Sequence, residues 1–191
     1  ALKALIKESL KVIRLDVMED PQNATLETIA EEHSHEYDSQ SNGGTEVGIR
    51  NVRGHYRTMR SDLEARIGQK IPPHHPVAAW LVEHAAFTLN ATSRGDDGRT
   101  PWQRARGRPF GLDRHPFGEQ VMYKIPTTGP RSQPEGNMGD KFREGTFLGY
   151  RHDTNSYIMH DVVHGIQASR HLQRVPPQRQ WSAPAIQAVA T

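Results

Sequence analysis

The chain contains no cysteine, which excludes a disulfide framework and a thiolate zinc site. No apolar run reaches the roughly 20 residues of a membrane-spanning helix. The opening residues, rich in lysine and glutamate, do not read as a secretory signal. There is no internal repeat, and no low-complexity tract precedes the C-terminal tail. Eleven histidines are present, and they read as solvated or hydrogen-bonding side chains. These absences describe an intracellular polypeptide without a membrane partner. At 191 residues it has room for one domain and part of another.

Charge is plentiful and unevenly placed. Residues 1–46 hold four Lys or Arg against ten Asp or Glu, a balance of −6, whereas residues 47–191 hold twenty against twelve, a balance of +8. The basic part is dominated by arginine, and a pI near 9.0 suits a polyanionic partner whose binding weakens steeply with salt.

From Glu46 to Ile67 the residues Ile49, Val52, Tyr56, Met59, Leu63 and Ile67 recur in steps of three or four, the period of an amphipathic helix. Arg50, Arg53, Arg57 and Arg60 follow one position later and in line with Glu46, forming a stripe beside the buried face. Arginine favours planar, two-point contacts with phosphate, and the same spacing also suits a plain solvated face. Asn42-Gly43-Gly44 reads as a tight turn, Thr45 as a helix cap and Gly68 as the stop.

Punctuation organises the rest. Ala1 to about Arg14 has a helical apolar period, and Met18 to Ser41 is an acidic, turn-rich excursion. Val77 to Asn90, entered through Pro76, is apolar enough to be core, with Trp80 and Phe87 on one face. Thr100 can cap a short helix begun by Pro101. Past Pro109 the period becomes that of strands: Val121, Tyr123 and Ile125 alternate, Thr146–Tyr150 and Ser156–His160 flank a polar turn, and Ile166 to Leu172 alternates again. This spacing predicts a small antiparallel barrel or sheet interrupted by the loop from Thr127 to Gly139, and a disordered stretch from Pro176 onward.

Ser39-Gln40-Ser41-Asn42-Gly43-Gly44-Thr45-Glu46, followed by Arg50-Asn51-Val52-Arg53-Gly54 and Arg57-Thr58-Met59-Arg60, resembles the last third of the catalytic core of a copia-type retrotransposon integrase, a ribonuclease-H-like enzyme. Pro76-Val77-Ala78-Ala79-Trp80-Leu81-Val82-Glu83-His84 resembles that family's next core helix, and Gly98-Arg99-Thr100-Pro101-Trp102-Gln103-Arg104 its Thr-Pro-aromatic helix. Phe147-Leu148-Gly149-Tyr150 is similar to a strand of the small β-barrel that follows the core in such polyproteins. The resemblance covers most of residues 39–175.

The resemblance implies an α+β chain: a truncated ribonuclease-H-like integrase core over 1–108, mostly its helices, then a small antiparallel β-barrel over 109–175 and a disordered tail over 176–191. It maps the third carboxylate of an Asp, Asp, Glu metal site onto Glu46, binding Mg²⁺ or Mn²⁺ in the intact parent. The family's two aspartates lie on strands upstream of the helix that Ala1–Lys7 resembles, so the chain is expected to begin after both. Asp16 and Asp20 are the nearby carboxylates, and Asp20, before Pro21, reads as a turn residue. The expectation is thus a polynucleotidyl transferase fragment lacking two of three catalytic carboxylates. It would bind DNA through Arg50, Arg53, Arg57 and Arg60, associate with itself or other integrase subunits, hold no metal stably alone, and work in the nucleus. The alternative is a non-catalytic nucleic-acid or protein interaction module derived from a transposon.

Overall fold

A computed structural model describes residues 43–126 and 139–189. The expected N-terminal helix, the acidic excursion, Asp16, Asp20 and most of the Thr127–Gly139 loop lie outside them. The described elements run α1 (Gly43–Ile67), α2 (Val77–Thr92), α3 (Pro101–Arg106), β1 (Gln120–Lys124), β2 (Phe142–Arg151), β3 (Ser156–Asp161), β4 (Gly165–Ser169), β5 (Leu172–Arg174), a 3₁₀ turn (Pro177–Arg179) and α4 (Ala183–Gln187). The described residues form a mixed α+β structure that divides into two compact units, 43–58 with 85–111, and 59–84 with 112–126 and 139–189. The division falls inside α1 and α2.

In the first unit Val52, Tyr56, Ala85, Ala86 and Phe87 are buried. Phe87, Trp102 and Phe110 meet edge to face with centroids 4.9–5.9 Å apart, an arrangement their ring quadrupoles favour. Thr100 caps α3 as anticipated: its Oγ1 accepts from Gln103 N at 3.1 Å, and Gln103 Oε1 accepts from Thr100 N at 2.9 Å, a complete capping box. Helix α1 begins at Gly43, so Thr45 lies inside the helix and not at its cap.

The second unit is built on an antiparallel sheet in the order β4-β3-β2-β1-β5. A bulge between Phe147 and Gly149 shifts the β2–β3 register, from Phe147 opposite Met159 to Tyr150 opposite Tyr157. The extra residue lets Phe147 and Tyr150, three apart, lie close on one side with centroids 5.2 Å apart. His84 of α2 meets both, stacked on Tyr150 and edge-on to Phe147. At Gly145 the strands pack closely: a Cβ there would stand 3.2–3.3 Å from His160 O, Met159 Cγ and Tyr123 Cδ1. Tyr123 reaches Asp161 Oδ2 at 2.6 Å, and Asp161 Oδ1 accepts from the backbone N–H groups of Val163 and His164, fastening the β3–β4 turn.

Strands β4 and β5 are the two edges of this order, yet only Arg170 and His171 join them. Five flat strands would hold the edges about 19 Å apart at about 4.8 Å per step. Three Cα–Cα links reach at most about 11 Å. The sheet must therefore roll until its edges approach, and Ser169 Oγ of β4 donates to the carbonyl of Lys124 in β1 at 3.2 Å. No β4–β5 ladder forms among the described residues, so the sheet is rolled but open, where a barrel was expected. For the same reason Ile166–Leu172 is two strands and not one.

Residues 177–189, expected to be disordered, hold a 3₁₀ turn and α4. Ser182 caps α4 by accepting from Ala185 N at 3.3 Å, and Ile186 and Val189 are buried. The Arg66 guanidinium lies 4.5 Å over the Trp181 ring. The polar, proline-rich composition concealed these few apolar anchors.

Candidate nucleic-acid interface

Helix α1 places the predicted site residues at known positions. Val52 and Tyr56 turn inward and are buried, which leaves Arg50 and Arg57 exposed and Arg53 half-buried beside them. At 1.5 Å per residue, Arg50 to Arg57 covers about 10 Å of helix axis. None of the three side chains has a hydrogen-bond or ion-pair partner among the described residues. In the same unit Arg94, Arg99 and Arg108 are also exposed. The described part of this unit carries eight Lys or Arg (Arg50, Arg53, Arg57, Arg94, Arg99, Arg104, Arg106, Arg108) against three acids (Glu46, Asp96, Asp97), a balance of 8 − 3 = +5.

One of those acids is already engaged. Arg104 folds back over Gly95, where any Cβ would collide with its guanidinium, and donates to both oxygens of Asp97 at 2.7 and 3.0 Å. These hydrogen bonds above all, helped by the Arg99 N–H, hold the Asp97 carboxyl down at about 2.

Arg60 departs from the expected stripe. In the second unit its Nε donates to Glu64 Oε1 at 3.0 Å and its Nη2 to the carbonyl of Ile71. Lys70 Nζ and Ile71 N also donate to Glu64, at 2.7 and 3.1 Å. Arg60 is therefore a structural clamp on the chain leaving α1, its guanidinium engaged by Glu64 and the Ile71 carbonyl. The i, i+4 spacing of Arg60 and Glu64 was the sequence signal that pointed to this pairing.

Glu46 is exposed in the first turns of α1, where a carboxylate is favoured by the helix dipole. Among the described residues no group of three or more His, Asp or Glu side chains is placed to share a metal ion. Two Mg²⁺ ions need several oxygen ligands, so Glu46 with the described residues does not make such a site. His160 and His164, four apart, would share a face on a helix, but here one is in β3 and the other in the following turn. His164 Nδ1 instead lies 3.2 Å from Asp161 Oδ1, and His160 is buried on the sheet, where burial pushes its imidazole below the ordinary histidine range.

The second unit contains a fully buried carboxylate that the sequence reading did not single out. Glu119 accepts from Arg174 Nε and Nη2 at 2.8 and 3.2 Å and lies 3.4 Å from His115 Nδ1. Its backbone carbonyl also accepts from Phe147 N at 2.8 Å. Fully buried, it ties β5 to the start of β1.

No family model, curated protein or solved structure matches this chain.

Proposed function

We propose that the chain is a nucleic-acid-binding part of a retrotransposon-type integrase, derived from the core that joins element DNA to target DNA in the intact parent and not catalytic by itself. The observation that carries this reading is the row of exposed Arg50 and Arg57 with half-buried Arg53 between them, unpaired among the described residues of a unit whose described part has a balance of 8 − 3 = +5. Guanidinium groups in this setting fit the sugar–phosphate backbone and provide affinity without sequence preference. In the parent, a two-ion site with two further aspartates would supply activated hydroxyl chemistry. Here Glu46 is the residue assigned to it, and Mg²⁺ or Mn²⁺ would need ligands beyond those the described residues bring together. The α+β architecture is compatible with this origin, with a ribonuclease-H-like core and nuclear action as parts of the proposal. Integrase subunits or a second copy of this chain are the proposed protein partners.

The alternative, a non-catalytic interaction module of transposon origin, differs in what the whole gene encodes and shares the same arginine surface. The test is duplex DNA binding over a salt series with Arg50→Ala, Arg53→Ala and Arg57→Ala combined. Each lost phosphate contact should flatten the plot of log affinity against log salt by about 0.9 unit. The helix should stay intact, since alanine is the better helix former. An unchanged slope would make the row a solvated face. The same preparation should neither nick nor join DNA in Mg²⁺ or Mn²⁺, and strand transfer abolished by Glu46→Gln would overturn the non-catalytic reading.

A further inference from the structure

At one end of the rolled sheet the fold gathers basic residues that are far apart in sequence. Lys124 ends β1, Lys141 immediately precedes β2, and Arg170 and His171 form the link from β4 to β5. Backbone hydrogen bonds hold these segments together: Ile125 N donates to the Lys141 carbonyl at 3.0 Å and Lys124 N to the His171 carbonyl at 3.2 Å. Ser169 Oγ lies 3.2 and 3.1 Å from the carbonyl oxygens of Lys124 and His171, which share its single proton. The order β2-β1-β5 therefore sets the basic residues on three adjacent strands, about 10 Å across at about 4.8 Å per strand.

All four side chains are exposed, and none has a hydrogen-bond or ion-pair partner among the described residues. Elsewhere in this unit, Arg174 is paired with Glu119, Arg179 with Glu144 and Arg151 with Asp153. At the corner three full cations, Lys124, Lys141 and Arg170, have one acidic sequence neighbour, Asp140. A group of unpaired cations on backbone-fixed strand ends is complementary to the regularly spaced charges of a nucleic-acid backbone. About 10 Å is also the rise of about three nucleotides at 3.4 Å each along one strand.

We propose that this corner is a second contact for the nucleic-acid backbone, one that grips a run of phosphates without reading bases. It rests on the nucleic-acid reading of the chain but uses a different surface from the α1 arginines. The two lysines act as point charges and Arg170 as a two-point donor, and His171 adds a hydrogen-bond donor beside them.

The experiment uses the full chain, a labelled random-sequence DNA duplex and fluorescence anisotropy over a salt series. Combining Lys124→Ala, Lys141→Ala and Arg170→Ala should flatten the salt slope by about two to three units. The charge-preserving combination Lys124→Arg, Lys141→Arg and Arg170→Lys should keep it, which separates lost charge from altered folding. A slope unchanged by the alanine set, while the α1 arginine set flattens it, overturns the corner alone. Wild-type chain without salt-dependent DNA binding overturns both the corner and the function proposed above. Polyglutamate of equal charge displacing the duplex as effectively as unlabelled DNA would assign the corner to an acidic protein partner and overturn it as a nucleic-acid contact.

Discussion

Replacing Glu64 with glutamine removes the charge at the centre of the clamp that closes α1. The carboxylate is 8 % exposed and accepts from Lys70 Nζ at 2.7 Å, Arg60 Nε at 3.0 Å and Ile71 N at 3.1 Å. The Lys70 hydrogen bond most of all, then the Ile71 N–H and Arg60, hold its carboxyl at about 2 against the burial that would raise it, compared with 4.5 for a free glutamate. At about 1.4 kcal/mol per pH unit this gap sets a ceiling of roughly 3 kcal/mol on the stability it contributes. Lys70 reaches the site from solvent, with its side chain 88 % exposed, so screening leaves about 1–2 kcal/mol as the expected loss at pH 7. The sign follows from the folded carboxyl being the stronger acid. Its contribution is complete above the unfolded value near 4.5, declines as pH falls, and is gone below about 2. Urea unfolding followed by circular dichroism at pH 7, pH 4 and pH 2.5 should therefore show Glu64→Gln less stable than wild type by that amount, with the gap narrowing toward acid. Equal stability at pH 7, or a gap that widens on acidification, would refute the clamp.

Two further substitutions test how the second unit is assembled. Gly118 has φ +82°, and a Cβ there would sit 2.7 Å from Leu63 Cδ1 and 3.0 Å from Ile186 Cδ1, so Gly118→Ala should cost about 2–4 kcal/mol through strain and overpacking, read as a lower urea midpoint. Ile186 is 1 % exposed, so Ile186→Ala should cost about 2–4 kcal/mol and speed tryptic cleavage at Arg179, whereas no change in either would return the tail to the disordered state read from its composition.

Where the fold was legible, the controlling interactions were local. The three-to-four step of apolar residues gave α1, Gly68 stopped it with φ +68°, and Thr100 before Pro101 announced the cap of α3. The alternation through Val121, Tyr123 and Ile125 located β1 for the same reason. What escaped was set by distant parts of the chain. Ile166–Leu172 keeps a strand period throughout, and only the need to carry the chain from one sheet edge to the other breaks it at Arg170 and His171. The tail likewise gains its order from Leu63, Gly118 and Arg66, which supply surfaces that Trp181 and Ile186 cannot find nearby in sequence.

The candidate site divides along the same line. Helical spacing puts Arg50, Arg53, Arg57 and Arg60 in one row, and two of them have a glutamate four residues away: Glu46 before Arg50 and Glu64 after Arg60. Spacing alone treats these pairs as equals, even favouring the first, in which the acid is N-terminal. Yet the structure forms only the second, at 3.0 Å, and leaves Glu46 and Arg50 exposed. The difference is the environment of the acid. Glu46 keeps its water, so an ion pair there gains little over hydration. Glu64 stands next to the fully buried Leu63 and across from buried Ile71, has lost most of its water, and must be repaid by every donor within reach. Arg60 is drawn out of the row for that purpose. An arginine of this helix is thus open to phosphate when its potential acid partner is solvated, and burial of that partner, which depends on residues 70–71 and not on the helix period, decides which arginines remain.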